Sequence, residues 1–166
     1  KKGGGGLGGT INPTPPPIVP GTSGPLNDHQ ASIWPPAGKR ITAPGAVFPA
    51  RALAVINGTN RGATREQQYD SPLTGGRTVW YRWNAPAQGS GFVRFSTKGS
   101  DFDTMIKVMW NDPNPGGKGG YNVQDNARTG PWSEGRYPWK PKQVFLIAVD
   151  GVGGAQGQIR ISARVE

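Results

Sequence analysis

The sequence predicts an all-β fold, a sandwich or barrel of short strands behind a Gly/Pro-rich N-terminal arm. Three observations lead there. Gly 27 and Pro 17 make up more than a quarter of the 166 residues, a usage that disfavours long helices. From Asp28 onward, short apolar stretches alternate with turn chemistry. No convincing helical spacing interrupts them.

Taken in chain order, residues 1–27 form the arm. Gly3 to Gly6, Gly8 and Gly9 give a flexible stretch, and Pro13, Pro15 to Pro17 and Pro20 give a polyproline II spacer. Its large apolar residues are too few to order it alone, so it is either a linker or an element that orders on a partner. In the second case Leu7, Ile11, Ile18 and Val19 are its contacts. Residues 28–166 form the domain. Ala46 to Phe48 and Ala52 to Ile56 are short strand candidates, the latter ended by an Asn57-Gly58 turn signal. Thr78 to Trp83 is aromatic and β-branched and stops at Ala85-Pro86. Phe92 to Thr97 and Met105 to Trp110 follow. Residues 111–141, rich in Gly, Pro, Asn and Trp, read as a long excursion with one short strand. Val144 to Val149 is apolar on both parities, as a strand buried on both faces requires. Gln158 to Val165 alternates with period two, one face buried and one wet.

A net charge of +9 favours anionic partners, among them acidic polysaccharide or an acidic neighbouring subunit. The basic residues are scattered singly, so nucleic-acid binding is not expected. The absence of cysteine removes disulfides, thiolate metal sites and cysteine nucleophiles. No stretch approaches the roughly 20 apolar residues of a membrane helix. Lys1-Lys2 leads into glycines and not into an apolar run, so an exported form would be the mature chain.

Four motifs in order resemble the bacterial pre-peptidase C-terminal (PPC-type) domains. They are Asn57-Gly58-Thr59-Asn60-Arg61-Gly62-Ala63-Thr64-Arg65-Glu66, Thr78 to Pro86, Ser96 to Thr104, and Leu146 to Gly151 with the closing Gly157 to Ile161 strand. The resemblance covers about residues 28–165 and leaves the arm outside it. It implies a jelly-roll-like antiparallel β-sandwich, secreted and non-catalytic, that serves adhesion, recognition, maturation or assembly. Some relatives bind calcium. This chain departs from the family after Trp110, where the usual paired acids are reduced to Gln124-Asp125-Asn126.

Catalysis has little to draw on. The sole histidine, His29, would have to serve any Ser-His-Asp arrangement, and no Gly-x-Ser-x-Gly elbow presents a serine. Asp101 and Asp103 project to one side of an extended segment and, with Asp125 or Asp150, could supply oxygens to calcium. Turn capping by the same carboxylates is the preferred reading. Gly151 to Gly154 leads to a strand and not a helix, so it is read as a hairpin connection and not a phosphate loop. Two binding surfaces are open. If their strands share a sheet, Arg82, Arg94, Lys107, Arg160 and Arg164 stud one face. Alternatively the loop aromatics Trp110, Tyr121, Trp132, Tyr137 and Trp139 anchor a protein or a sugar. The expected function is a non-catalytic structural or assembly subunit of an extracellular, cell-surface or periplasmic complex. The alternative is an accessory module that recognises protein or polysaccharide, with or without calcium. No other cofactor is expected.

Overall fold

A computed structural model describes residues 24–25, 28, 44–65, 73, 75–111, 119–125 and 130–166. Within these lie eight strands: β1 (Leu53–Thr59), β2 (Val79–Asn84), β3 (Gly91–Ser96), β4 (Thr104–Trp110), β5 (Gly120–Asp125), β6 (Glu134–Trp139), β7 (Val144–Gly151) and β8 (Gln158–Val165). They form two four-stranded sheets, β1-β8-β3-β6 and β2-β7-β4-β5, every pairing antiparallel. That is the order eight strands take as a jelly roll, a double-sheet device that leaves few sheet edges unprotected.

Period-two alternation aims one set of side chains from each sheet at the other. Trp83 and Phe145 from one sheet meet Phe95 from the other at ring separations of 6.1 and 5.8 Å. The eleven residues whose alternation marks them as core, Val79, Tyr81, Trp83, Val93, Phe95, Ile106, Val108, Ile147, Val149, Ile159 and Ile161, are all buried. Around β7 the β2-β7-β4-β5 sheet is also closed to solvent on its other face, where Trp80 and Ala148 are 0 % exposed, while Tyr121 on the β5 edge stays open. That explains why β7 is apolar on both parities.

Four sequence expectations are corrected. Asn57-Gly58 is not a turn but lies inside β1. Gly58 is needed there because a Cβ would stand 2.6 Å from the Tyr81 hydroxyl, a close approach that also calls for glycine. The described residues of 111–141 hold two strands, β5 and β6. Both are edge strands, and their Gly, Asn and Pro content hides the alternation. Pro138 is tolerated in β6 because an edge strand leaves one side without ladder bonds. Residues 152–154 are not a hairpin connection. β7 and β8 belong to different sheets, and the turn crosses between them with Gly153 and Gly154 at φ +62° and +83°. Finally, the five cations do not share a sheet, as the site geometry below shows.

The end of the sandwich beside that turn is tied by side-chain amides and hydroxyls. Asn60, fully buried, donates to Ala155 O at 3.1 Å and accepts from Gly157 N at 2.9 Å. Asn60→Ala should therefore cost about 1–3 kcal/mol through the unsatisfied groups it leaves, read as a lower urea midpoint at unchanged slope.

Candidate interaction surface

The outward side chains of β1, β8, β3 and β6 make an open face. Strand register places Leu53 opposite Arg164, Arg164 opposite Arg94, and Arg94 opposite Arg136, so three arginines stand side by side across the sheet. Like charges in adjacent strands repel. Glu166 and Glu134 relieve this. Arg94 donates Nη1–H to Glu134 at 2.7 Å and Nε–H to Glu166 at 2.8 Å, and Arg136 donates Nε–H to Glu166 at 2.9 Å. The Arg136 guanidinium also stacks 3.3 Å from the Phe92 ring centre. Arg164 has no ion pair among the described residues. Arg160, two rows further along β8 beyond Ser162, donates to Lys98 O at 3.1 Å.

Apolar residues interrupt this charge. Leu53 (55 % exposed), Val55 (39 %) and Phe92 (36 %) lie on the same face, and only Tyr121 joins them as a large exposed hydrophobic among the described residues. Sequence reading missed Leu53, Val55, Phe92 and Arg136. The signal in β1 was its apolar content on both parities, which one buried face does not need.

Arg94 and Arg136 hold the Glu166 carboxyl down at about 2, first through the Arg94 hydrogen bond, then through that of Arg136. Because the folded value lies below the unfolded one, the stabilisation is complete above about pH 4.5 and is lost as pH falls toward 2. The groups are partly exposed, so the effect is screened. An acid titration of the melting temperature should show a loss in that window that disappears in Glu166→Gln and shrinks at high salt.

The other sequence candidates fall elsewhere. Arg82 and Lys107 lie on the outward side of the other sheet, so they are separated from Arg94, Arg160 and Arg164 by the full thickness of the sandwich. Arg82 donates to Asn84 Oδ1 at 2.9 Å and is held below the usual arginine range by burial. Lys107 is buried and lies 5.2 Å over the Tyr121 ring. Trp132 sits under Lys98 at 4.9 Å. Trp139 is a core residue, edge-on to Trp83 at 6.2 Å. Only Trp110 and Tyr137 come together, 5.8 Å apart, on the flank where β5 and β6 are the edges of their sheets. Tyr137 is buried and its hydroxyl has no partner in hydrogen-bonding geometry, although the Gln124 side chain eases its ionisation slightly. Burial is the larger effect and pushes the phenol up to about 12. The five aromatics therefore do not form one surface.

The carboxylates serve the backbone. Asp101 Oδ1 accepts from Gln158 N at 2.7 Å. Asp150 accepts from Gly76, Arg77 and Gly151 N–H groups at 2.8, 3.0 and 2.8 Å. Asp103 instead uses its backbone oxygen, accepting from Val152 N, and its Oδ1 is buried without a hydrogen bond. Asp125 ends β5 opposite Met105. Among the described residues no three acidic or imidazole side chains gather as a metal-binding group. His29, Leu7, Ile11, Ile18 and Val19 lie outside the described residues.

The fold is thus an eight-stranded jelly-roll sandwich with one cationic, partly apolar open face. No protein-family model and no curated protein matches the chain. Among solved structures it is similar to the pre-peptidase C-terminal domain of collagenase from Bacillus anthracis. The two are 16% identical, 68% of this chain and 87% of that chain are covered, and the TM-score is 0.39. This is the domain type that the sequence motifs resemble. No helix among the described residues is long and apolar enough to cross a membrane.

Proposed function

We infer that the chain is a non-catalytic structural or assembly module of an extracellular or cell-surface complex, and that it meets a protein partner through the open face of the β1-β8-β3-β6 sheet. The observation that carries this is the gathering of Leu53, Val55 and Phe92 around the cross-strand arginine row. Exposed apolar groups set among arginines are the composition of a protein interface. The polysaccharide reading draws on the same arginines and is weaker. Glu134 and Glu166 already neutralise Arg94 and Arg136, leaving Arg160, Arg164 and Lys98 for a polyanion.

The non-catalytic reading is supported by the use of Asp101 and Asp150 as backbone caps, which leaves them poorly placed for proton transfer. The extracellular setting rests on the PPC-like motifs. The test is a pair of exposed substitutions, Leu53→Glu and Arg164→Glu. Each should change stability by no more than about 0.5 kcal/mol, while the double variant incorporates into the native cell-envelope complex at least about ten-fold less, read by quantitative co-purification. Wild-type incorporation of the double variant would refute the assignment of this face.

A further inference from the structure

A sheet edge is a row of backbone N–H and C=O groups open to another strand, and folded domains guard theirs. Of the four edges of the two sheets, three are guarded. On the β2 edge, Val47 bridges Arg82 and Phe48 N donates to Arg82 O at 2.8 Å. β6 carries Pro138 and the charged Glu134 and Arg136. β5 is interrupted by Gly120, Asn122 and Asp125, types that strands disfavour. β1 has none of these devices. Its seven residues, Leu53 to Thr59, include no charge and no proline.

Register tells which of its groups face outward. Ala52 O accepts from Val165 N at 2.8 Å and Asn60 N donates to Gly157 O at 3.4 Å, so the even-numbered residues between them bond to β8. The N–H and C=O groups of Leu53, Val55 and Asn57 therefore point away from β8, and no backbone bond reaches them among the described residues. The Leu53 and Val55 side chains lie on the open face beside the same edge. A strand laid there gains a ladder and apolar neighbours together.

Charge decides what that strand is. Residues 44–65 include Arg51, Arg61 and Arg65 and no acidic residue. Arg51 and Arg61 stand exposed just before and just after β1, and Arg164 and Arg160 lie opposite Leu53 and Asn57 on β8. A second copy would bring its own arginines. Paired antiparallel, it sets Arg51 of one copy near Arg61 of the other, and paired parallel in register, Arg51 beside Arg51. Each copy also carries a net +9. We propose that β1 is extended by a strand from the partner protein, apolar where it passes Leu53 and Val55 and acidic at its ends. This rests on the open-face reading, since it states how the same partner is held.

The test uses the full chain and a synthetic peptide, Glu-Glu-Val-Thr-Val-Thr-Val-Glu-Glu. At saturating peptide, amide hydrogen exchange at Leu53, Val55 and Asn57 should slow at least about ten-fold, because these N–H groups enter a ladder. Ala54 and Ile56, already bonded to β8, should change little. The same peptide N-methylated at its central amides should not bind. One with lysine in place of glutamate should bind at least about ten-fold more weakly, a gap that narrows in high salt. Val55→Pro removes the central donor where an edge strand tolerates proline, and should weaken binding at least about ten-fold. Val55→Thr, which keeps the donor, should stay within about three-fold of wild type. The exchange result on wild type stands even if Val55→Pro is less stable. Phe92→Ala, two strands from the edge, should bind peptide like wild type. Unslowed β1 amides, equal binding of the N-methylated or lysine peptide, or a dimer of the chain alone that Val55→Pro dissolves would each overturn the proposal. In the native complex, a shielded Phe92 with freely exchanging β1 amides would end this inference and keep the open face. Slowed β1 amides with Phe92 still reactive would keep the strand addition and end the wider face.

Discussion

Phe95→Ala should destabilise the domain by about 3–5 kcal/mol, a large share of what a domain this size has to spare. Phe95 is fully buried at the point where the two sheets meet. Its ring lies within 6.4 Å of those of Phe48, Trp83, Tyr137 and Phe145. These neighbours belong to three other strands and to the segment that bridges β2 at Val47. Because they are held by ladders and by each other, the cavity left by truncation closes poorly, and the cavity cost adds to the lost burial. Phe95→Leu, which keeps most of the volume, should cost far less. Equilibrium urea denaturation of the two variants checks this. Equal small losses for both would mean that the sheets do not pack through this ring.

Asp150→Ala should cost about 3 kcal/mol or more. The Asp150 carboxylate is 0 % exposed yet accepts three backbone N–H groups, which tie residues 76–77 to the end of β7. Removing it strands those donors without water, at about 1–3 kcal/mol for each left unsatisfied. Gly75 belongs to the same arrangement, since a Cβ there would stand 2.5 Å from Asp150 Oδ1. Gly75→Ala should therefore destabilise as well. Asp150 was also a candidate calcium ligand, so the measurement includes calcium. Wild type should melt at the same temperature with and without millimolar calcium, because a ligand that stabilises must raise the melting point in step with its excess over Kd. A calcium-dependent rise lost in Asp150→Ala would give the carboxylate a metal-binding role.

The strands that build the core were legible because alternation and β-branched content were strong there. Val79, Tyr81 and Trp83 on β2, or Ile159 and Ile161 on β8, announce their own face. β5 and β6 were not. In β6, Gly135 and Pro138 break the alternation, and Gly135 is required because a Cβ would collide with the Tyr137 ring. Asn57-Gly58 looked like a turn for a related reason. Glycine there answers a close approach by Tyr81, and local sequence does not distinguish that from a need for left-handed backbone. The site was less legible still. Which arginines share a face depends on sheet order, and no local pattern tells that β8 lies between β1 and β3 while β2 and β4 flank β7. Once the order is given, Arg94, Arg136 and Arg164 align and Arg82 and Lys107 depart. Likewise the aromatic surface expected from five residues reduces to Trp110 and Tyr137, because Trp139 was needed inside.

We place the meeting of this module with its partner on the open face of the β1-β8-β3-β6 sheet. Hydroxyl-radical footprinting of the chain in its native complex, against the isolated chain, tests it most directly. Leu53, Val55 and Phe92 should lose most of their reactivity on assembly, while Tyr121, exposed on the opposite sheet, keeps its own. Unchanged reactivity at Leu53, Val55 and Phe92 in the assembled state would move the partner's contact off this face.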